Sequence, residues 1–274
     1  MAVKIRVRHA LPLWQRLRRR WRSWRGAGLD KTHVVHLITI GEVRLKRVRF
    51  ADVETARVVA GRLERLADTG CVPTVLMQHG RQLWVEYIPG RFPKLDDVDD
   101  RARLIDFFVG LYRLADATAV AAVPYTAGLH RDLDFLAGCG VLTRERSTGL
   151  KNLERRLRPD TVLIGHDYTD PLGKNFVIRG DQAVAIDIEA LDTETPLGTG
   201  LAKAMLRWPF DPSAAVLSRL AAEAGPDLAA QLNWTQLRFL CDYFKQKLLQ
   251  GKPGYVRLEA FDRLLDSQTE ETPP

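Results

Sequence analysis

The feature that constrains this chain most is the order of residues between positions 163 and 191, LIGHDYTDPLGKNFVIRGDQAVAIDIEAL. Asp170 is followed five residues later by Asn175, which precedes the apolar run FVI. The turn sequence RGD at 179–181 leads into a return strand, AVAID, which ends at Asp187, twelve residues after Asn175. The pattern therefore predicts one β-hairpin with a carboxylate and an amide in the loop before it and a carboxylate at its end.

This set of side chains has a recognisable chemistry. Mg²⁺ prefers a few hard oxygen ligands from the protein and leaves its other positions to phosphates and water. In Mg²⁺-assisted phosphoryl transfer, one carboxylate accepts the proton of the attacking hydroxyl, while an amide and a second carboxylate hold metal. Asp170, Asn175 and Asp187 supply these groups in that order along the chain.

A second segment, HRDL at 130–133, has the letters with which the catalytic loop of protein kinases begins. Five residues after Asp132, where such a loop has its metal-binding asparagine, this chain has Ala137. The surrounding LHRDLDFLAGCG has the apolar spacing of a helix. We therefore interpret HRDL as accidental, and we expect Asp132 and Asp134 to be surface carboxylates.

The rest of the chain divides into a β-rich part and a mostly helical part. Before residue 90, the patterns predict strands at 33–40, 43–48, 73–78 and 82–88 and a helix at 52–68 that is N-capped by Asp52. After residue 95, they predict helices at 97–117, 127–157 and 200–266 on either side of the strand-like segment 162–191. Pro89-Gly90 is a natural boundary, so we expect an N-lobe at 26–90 and a C-lobe at 91–274.

The spacing resembles the motif of the aminoglycoside phosphotransferase and choline kinase group of the protein-kinase-like superfamily. Its D-x-x-x-x-N corresponds here to Asp170 and Asn175, and its I-D-x-E corresponds to residues 186–189. GLDKTHVVHLITIGEVRLKRV at 28–48 is similar to that group's loop-strand-turn-strand, and VEYIPG at 85–90 is similar to its lobe connection. The resemblance implies an α+β, two-lobed protein-kinase-like fold with a small β-rich N-lobe and a larger, mainly helical C-lobe.

The resemblance also implies roles for individual residues, with ATP and Mg²⁺ as cofactors. Asp170 would be the catalytic base, and Asn175 and Asp187 would be the metal ligands. The nucleotide-binding residues would be Lys46, on the phosphates; Asp30, Lys31 and Thr32, covering them; and Glu86 and Ile88, whose backbone groups would meet the adenine edge.

The sequence departs from the group's pattern beside the catalytic residue. Tyr168 stands where the group has a histidine, two positions before the aspartate, and His166 lies four positions before it. We expect His166 to be structural. Taking Asp167 as the base would place Asn175 at +8, which breaks the loop geometry.

Residues 1–25 form a separate feature, because they contain nine of the 41 Lys and Arg residues, three of the six tryptophans and no acid. From Pro12, the tryptophans and Leu17 fall on one face of a predicted basic amphipathic helix. Three interpretations stay open for this arm: binding to an anionic membrane surface, binding to nucleic-acid phosphates, or packing on the protein's own body.

These observations predict a kinase that moves the γ-phosphate of ATP, or less favourably GTP, to a hydroxyl group. The acceptor would be a hydroxyl-bearing small molecule or a lipid-linked sugar, with nucleic acid as a weaker alternative partner. A catalytically inactive kinase-like scaffold and an RNA-associated protein are the competing hypotheses. No run of 18 apolar residues is present, so we expect a cytoplasmic protein, with peripheral attachment to the inner face of the membrane as a further hypothesis from the arm.

Overall fold

The computed structural model describes residues 5–9, 34–114, 117–221 and 226–266. The chain divides into two compact units, one formed by residues 1–92 and 176–189 and the other by residues 93–175 and 190–274. The segment 176–189, which the sequence analysis assigned to the C-lobe, clusters with the first unit.

The first unit contains a five-stranded sheet with the order β1-β2-β3-β5-β4. Its strands are β1 (Ile5–His9), β2 (Val34–Ile40), β3 (Val43–Arg49), β4 (Val75–His79) and β5 (Gln82–Glu86), all paired antiparallel. Gly41 and Gly80 have positive φ in the tight turns of the two hairpins, which is the conformation that such turns require. The four strands predicted before residue 90 are confirmed.

Strand β1 corrects the prediction for residues 1–25. That segment was treated as one arm because of its charge, but Ile5–His9 pairs antiparallel with β2 and extends the sheet. The alternation IRVRH fits a strand, because successive side chains point to opposite faces. The predicted basic helix at 12–25 lies outside the described residues.

Helix α1 (Val53–Arg65) follows strand β3. The Asp52 carboxylate accepts a hydrogen bond from the Thr55 amide at 2.7 Å and caps the helix N-terminus, as predicted. Val59, Leu63 and other apolar residues of one face are buried in the unit's core.

A third hairpin of the first unit consists of β8 (Phe176–Arg179) and β9 (Gln182–Ala185). Its strand β8 pairs with the segment after β5, because the amide of Ile178 donates to the carbonyl of Arg91 at 2.8 Å. This contact requires glycine at position 90, since a Cβ there would lie 2.2 Å from the Ile178 carbonyl oxygen.

The second unit contains a three-stranded sheet with the order β10-β7-β6 and a set of helices. The elements are α2 (Val98–Arg113), β6 (Thr118–Ala121), α3 (Val123–Gly138), α4 (Arg144–Leu157), β7 (Thr161–Tyr168), β10 (Leu191–Pro196), α5 (Thr199–Arg207), α6 (Ser213–Ala221), α7 (Pro226–Leu249) and α8 (Glu259–Asp266). Leucines of α3 and α4 pack with Leu237, Phe244 and Phe261 to form the largest described apolar core of this unit. None of the described helices is both long and apolar enough to cross a membrane.

The HRDL segment lies inside α3, as its spacing predicted, but its side chains do not all face solvent. The expectation that Asp132 is a surface carboxylate is wrong, because Asp132 is 9% exposed and accepts from the Lys245 ammonium at 2.5 Å. His130 contacts the buried Glu154 at 3.1 Å. Asp134 is exposed and pairs with Lys151, so this motif joins α3 to neighbouring helices.

Candidate active site

Asp170 and Asn175 lie in the loop that follows β7 in the second unit, and they are hydrogen-bonded to each other. The Asn175 amide nitrogen donates to the Asp170 carboxylate Oδ2 at 2.9 Å and to the Asp170 carbonyl at 2.8 Å. The Asn175 backbone amide donates to the Leu172 carbonyl at 2.7 Å, which closes the loop. The five-residue spacing therefore folds into a compact turn in which Asn175 Oδ1 is the oxygen that the amide offers to a ligand.

Tyr168 supports this loop at the position where the resembling group has a histidine. Its side chain is 1% exposed, its hydroxyl donates to the Asn175 carbonyl at 3.3 Å, and its ring packs edge-on against Phe107. Tyr168 therefore stabilises the loop through a hydrogen bond and an aromatic contact. His166 is also buried, at 1% exposure.

Asp167 organises the backbone around the loop. Its carboxylate is completely buried and accepts from the Tyr112 hydroxyl at 3.1 Å, the Tyr168 amide at 2.7 Å and the Gly200 amide at 3.0 Å. Burial raises the pKa of Asp167 to about 6, although the hydrogen bonds to Gly200 and Tyr168 act in the opposite direction. These three hydrogen bonds connect the end of β7 with α2 and with the N-terminus of α5.

The junction between β7 and α5 is so close that position 200 must be glycine. A Cβ on Gly200 would lie 2.1 Å from the Tyr168 carbonyl oxygen and 2.7 Å from Asp167 Oδ1. The first turn of α5 is therefore fixed relative to the loop that carries Asp170.

Lys203 is the residue that this junction brings to the candidate base. Its ammonium donates to Asp170 Oδ1 at 2.5 Å and to the Thr169 carbonyl at 3.1 Å, and its side chain is 20% exposed. Among the described residues, Lys203 thus contacts Asp170 Oδ1 and Asn175 contacts Asp170 Oδ2. Lys203 was not predicted from the sequence, because it lies 33 residues after Asp170 in a helix that carried no recognised motif.

The first unit brings together Lys46 and the end of the β8–β9 hairpin. The Lys46 ammonium donates to the carbonyl of Ile186 at 2.5 Å, and Ile186 immediately precedes Asp187. Lys46 lies on β3 opposite Val85 of β5, and both Lys46 and Asp187 are half-buried. The strand-end carboxylate and the predicted phosphate-binding lysine therefore belong to one neighbourhood within this unit.

Glu86 and Ile88 lie at the end of β5 and just after it. The Glu86 amide donates to the Thr74 carbonyl at 2.9 Å, and its carboxylate pairs with Arg179 at 3.0 Å. Ile88 is buried and packs with Val177 and Val184 of the hairpin. Asp30, Lys31 and Thr32, predicted to cover the phosphates, lie outside the described residues.

Asn175 of the second unit carries an amide oxygen, and Asp187 of the first unit carries a carboxylate. Mg²⁺ prefers hard oxygen ligands of both kinds. No group of three or more His, Cys, Asp or Glu side chains among the described residues could hold a metal on its own.

Comparison with known proteins gives a consistent fold assignment. No protein-family model matches the chain, and no curated protein matches it. Among solved structures, the macrolide 2'-phosphotransferase MphH from Brachybacterium faecium is similar at a TM-score of 0.57 and 13% identity over 96% of this chain and 99% of that chain. Choline kinase from Cryptosporidium parvum Iowa II is similar at a TM-score of 0.54 and 10% identity over 97% and 89% of the two chains.

A third similar structure is a thermostable mutant of the aminoglycoside phosphotransferase APH(4)-Ia in a ternary complex with ADP and hygromycin B. Its TM-score is 0.56 at 11% identity, over 88% of this chain and 92% of that chain. All three are members of the protein-kinase-like superfamily. This chain therefore has the protein-kinase-like fold of the small-molecule phosphotransferases, as the sequence analysis predicted.

Proposed function

We propose that this protein is a phosphotransferase that moves the γ-phosphate of ATP to a hydroxyl group of an acceptor. The observation that carries the proposal is the Asp170 carboxylate, held by Asn175 on one oxygen and by Lys203 on the other in the loop after β7. The shared fold with macrolide, aminoglycoside and choline phosphotransferases supports the same activity class.

Asp170 orients the acceptor hydroxyl and accepts its proton while the acceptor oxygen forms a bond to the γ-phosphorus. The bond between that phosphorus and the bridging oxygen breaks, and ADP leaves. The Lys203 ammonium fixes the direction of the Asp170 carboxylate, and it supplies positive charge where the transferred phosphoryl group carries negative charge. A preorganised charge of this kind contributes on the order of 10²–10³ to the rate.

The nucleotide-binding residues would be Lys46, Glu86, Ile88 and the loop Asp30 to Thr32. Lys46 would clamp the phosphates, and backbone groups near Glu86 and Ile88 would contact the adenine edge. Asn175 and Asp187 would hold Mg²⁺, which when bound neutralises charge on the phosphates. The contact of Lys46 with the residue before Asp187 supports this assignment.

For the acceptor, the proposal is a sugar or a lipid-linked glycan at a membrane surface, reached through the basic segment 1–25. The composition of that segment, with its arginines and tryptophans, supports attachment to anionic lipid. A free hydroxyl-bearing small molecule is the other acceptor class in this proposal.

The test is a thermal shift with Mg²⁺ and ATP on the full chain, comparing wild type with Asp187→Asn and with the matched control Asp181→Asn in the exposed turn of the same hairpin. Ligand at about 100 times its Kd stabilises a protein by about 2.7 kcal/mol, so wild type and Asp181→Asn should melt at a higher temperature with Mg²⁺ and ATP. Asp187→Asn should lose most of the shift. The absence of a shift in wild type at millimolar ATP would refute the proposal and favour a partner-binding scaffold.

A further inference from the structure

A group of aromatic and basic side chains lies where α5 ends beside α7 and the turn at 253–255. The guanidinium carbon of Arg207 lies 5.3 Å from the ring centroids of both Tyr243 and Tyr255. The Lys247 ammonium lies 4.9 Å from the Tyr243 ring centroid and 5.4 Å from that of Tyr255. We call these four residues the basic tyrosine cluster.

The positive charge of the cluster is not balanced by carboxylates. Neither Arg207 nor Lys247 forms an ion pair within the part of the chain that the structure describes. Burial lowers the pKa of Lys247, and the nearby positive charges of Lys252, Arg207 and Lys203 lower it further. The cations therefore repel one another, and an anion placed among them would be stabilised.

The Arg207 guanidinium also has unused hydrogen-bonding capacity. One of its terminal nitrogens donates to the Tyr243 hydroxyl, but its Nε is buried and has no hydrogen-bond partner in the described chain. An unsatisfied buried donor on a charged group costs free energy. Hydrogen bonds within the described chain therefore leave the Arg207 guanidinium incompletely satisfied.

A purely structural explanation covers only part of this arrangement. Cation–π contacts fasten the turn at 253–255 to α7, and a lysine in the last turn of a helix interacts favourably with its dipole. Either role is fulfilled by one cation. Neither role explains why both Arg207 and Lys247 lie against the same two tyrosine rings. Neither explains why Lys252 and Lys203 lie close enough to lower the pKa of Lys247.

The cluster is connected to the candidate base through α5. Lys203 and Arg207 lie one helical turn apart on α5 and therefore on the same face. Lys203 contacts Asp170, and Arg207 contacts the two tyrosines. A molecule whose hydroxyl reaches Asp170 would place a neighbouring group toward the cluster.

We propose that the basic tyrosine cluster binds a phosphate group of the acceptor, so that the substrate is a hydroxyl compound that already carries phosphate. This inference rests on the proposed function, because it names the class of acceptor used at the same site. Arg207 and Lys247 pair with the phosphate oxygens, and the Tyr243 and Tyr255 rings and hydroxyls contact the adjoining polyol. The phosphate belongs either to a soluble sugar phosphate or to a phosphate-linked lipid.

The test measures binding to the full-length protein without nucleotide, so that its result does not depend on ATP turnover. One arm uses glucose 6-phosphate against glucose in isothermal titration calorimetry. The other uses sedimentation with phosphatidylcholine vesicles that do or do not contain phosphatidylglycerol. The variants are Lys247→Gln and the charge reversal Lys252→Glu, with Lys46→Gln as the control for binding at the proposed nucleotide site.

The proposal predicts that at least one anionic probe binds better than its neutral counterpart. Lys247→Gln should weaken that binding about ten-fold or more, as the loss of a charge-assisted contact requires, and Lys46→Gln should leave it unchanged. Binding of glucose 6-phosphate identifies a soluble acceptor, and cluster-dependent binding of vesicles identifies a lipid-linked one.

Two results would overturn the proposal. The first is that neither anionic probe binds better than its neutral counterpart. The second is that the stronger binding of the anionic probe persists in both Lys247→Gln and Lys252→Glu. Vesicle binding through residues 1–25 would give this second result. Lys252 is exposed, so its variant reports on binding even where Lys247→Gln lowers stability. The Mg²⁺ and ATP thermal shift of the same wild-type sample reports separately on the proposed function.

Discussion

Replacing Glu154 by glutamine should destabilise the second unit at neutral pH and much less at acid pH. Glu154 is fully buried and accepts from Arg158 at 2.7 and 2.8 Å, from His130 at 3.1 Å, and from Thr126 and Trp234 at 3.2 Å. Burial alone would raise the pKa of Glu154, but the hydrogen bonds from Arg158 and Trp234 outweigh it and lower the pKa from 4.5 to about 2.

A lowered folded-state pKa means that the ionised carboxylate stabilises the fold. The contribution is complete above pH 4.5 and is lost as the pH falls toward about 2. At about 1.4 kcal/mol per pKa unit, it amounts to roughly 3 kcal/mol, and screening at the partly exposed Arg158 reduces it to about 2 kcal/mol.

The assay is urea unfolding of wild type and Glu154→Gln, followed by circular dichroism across the acid range. The exposed Glu194→Gln controls for the loss of one negative charge. Wild type should exceed Glu154→Gln by about 2 kcal/mol at neutral pH, with the difference shrinking as the pH falls through the unfolded-state pKa. A difference that stays constant with pH, or is no larger than that of Glu194→Gln, would refute the reasoning.

Three further predictions concern the candidate site. Lys203→Met should lower kcat for ATP turnover about 10²-fold with little change in melting temperature, while Lys203→Arg should retain more activity. Equal rates in wild type and both variants would contradict the role assigned to Lys203 beside Asp170. Gly200→Ala should destabilise the protein by about 3 kcal/mol in thermal unfolding, because its Cβ would meet the Tyr168 carbonyl and any relief requires a backbone shift. Burial raises the pKa of Asp167 from 3.8 to about 6. The contribution of Asp167 to stability is therefore complete below pH 3.8 and declines by roughly 3 kcal/mol as the pH rises to about 6. A difference in unfolding free energy between wild type and Asp167→Asn that does not change over that range would show that the pKa is not raised.

The sequence was sufficient for the elements whose signals are local. The hairpin around Gly180 and the cap of α1 by Asp52 depend on neighbours a few residues apart, and both are observed where predicted. The spacing between Asp170 and Asn175 also encodes a local loop, and in the structure the two side chains of that loop are hydrogen-bonded to each other.

Contacts between residues that are far apart in the sequence could not be predicted from local patterns. Strand β1 was missed because the charge of residues 1–25 dominated a short alternation whose partner, β2, lies about thirty residues away in sequence. The burial of Asp132 depends on Lys245, which lies 113 residues later on α7. Lys203 reaches Asp170 only because Asp167 and Gly200 fix the start of α5 against β7.

The most direct measurement of the central claim is ADP formation from ATP and Mg²⁺ by wild type, Asp170→Asn and the control Asp134→Asn, with hydroxyl acceptors that do and do not carry phosphate. Wild type and Asp134→Asn should turn over ATP faster with an acceptor present. Asp170→Asn should fall by about 10²-fold or more while still binding Mg²⁺ and ATP. Equal turnover in Asp170→Asn and wild type, or Mg²⁺ and ATP binding by wild type without turnover on any acceptor, would contradict a phosphotransferase in which Asp170 is the base.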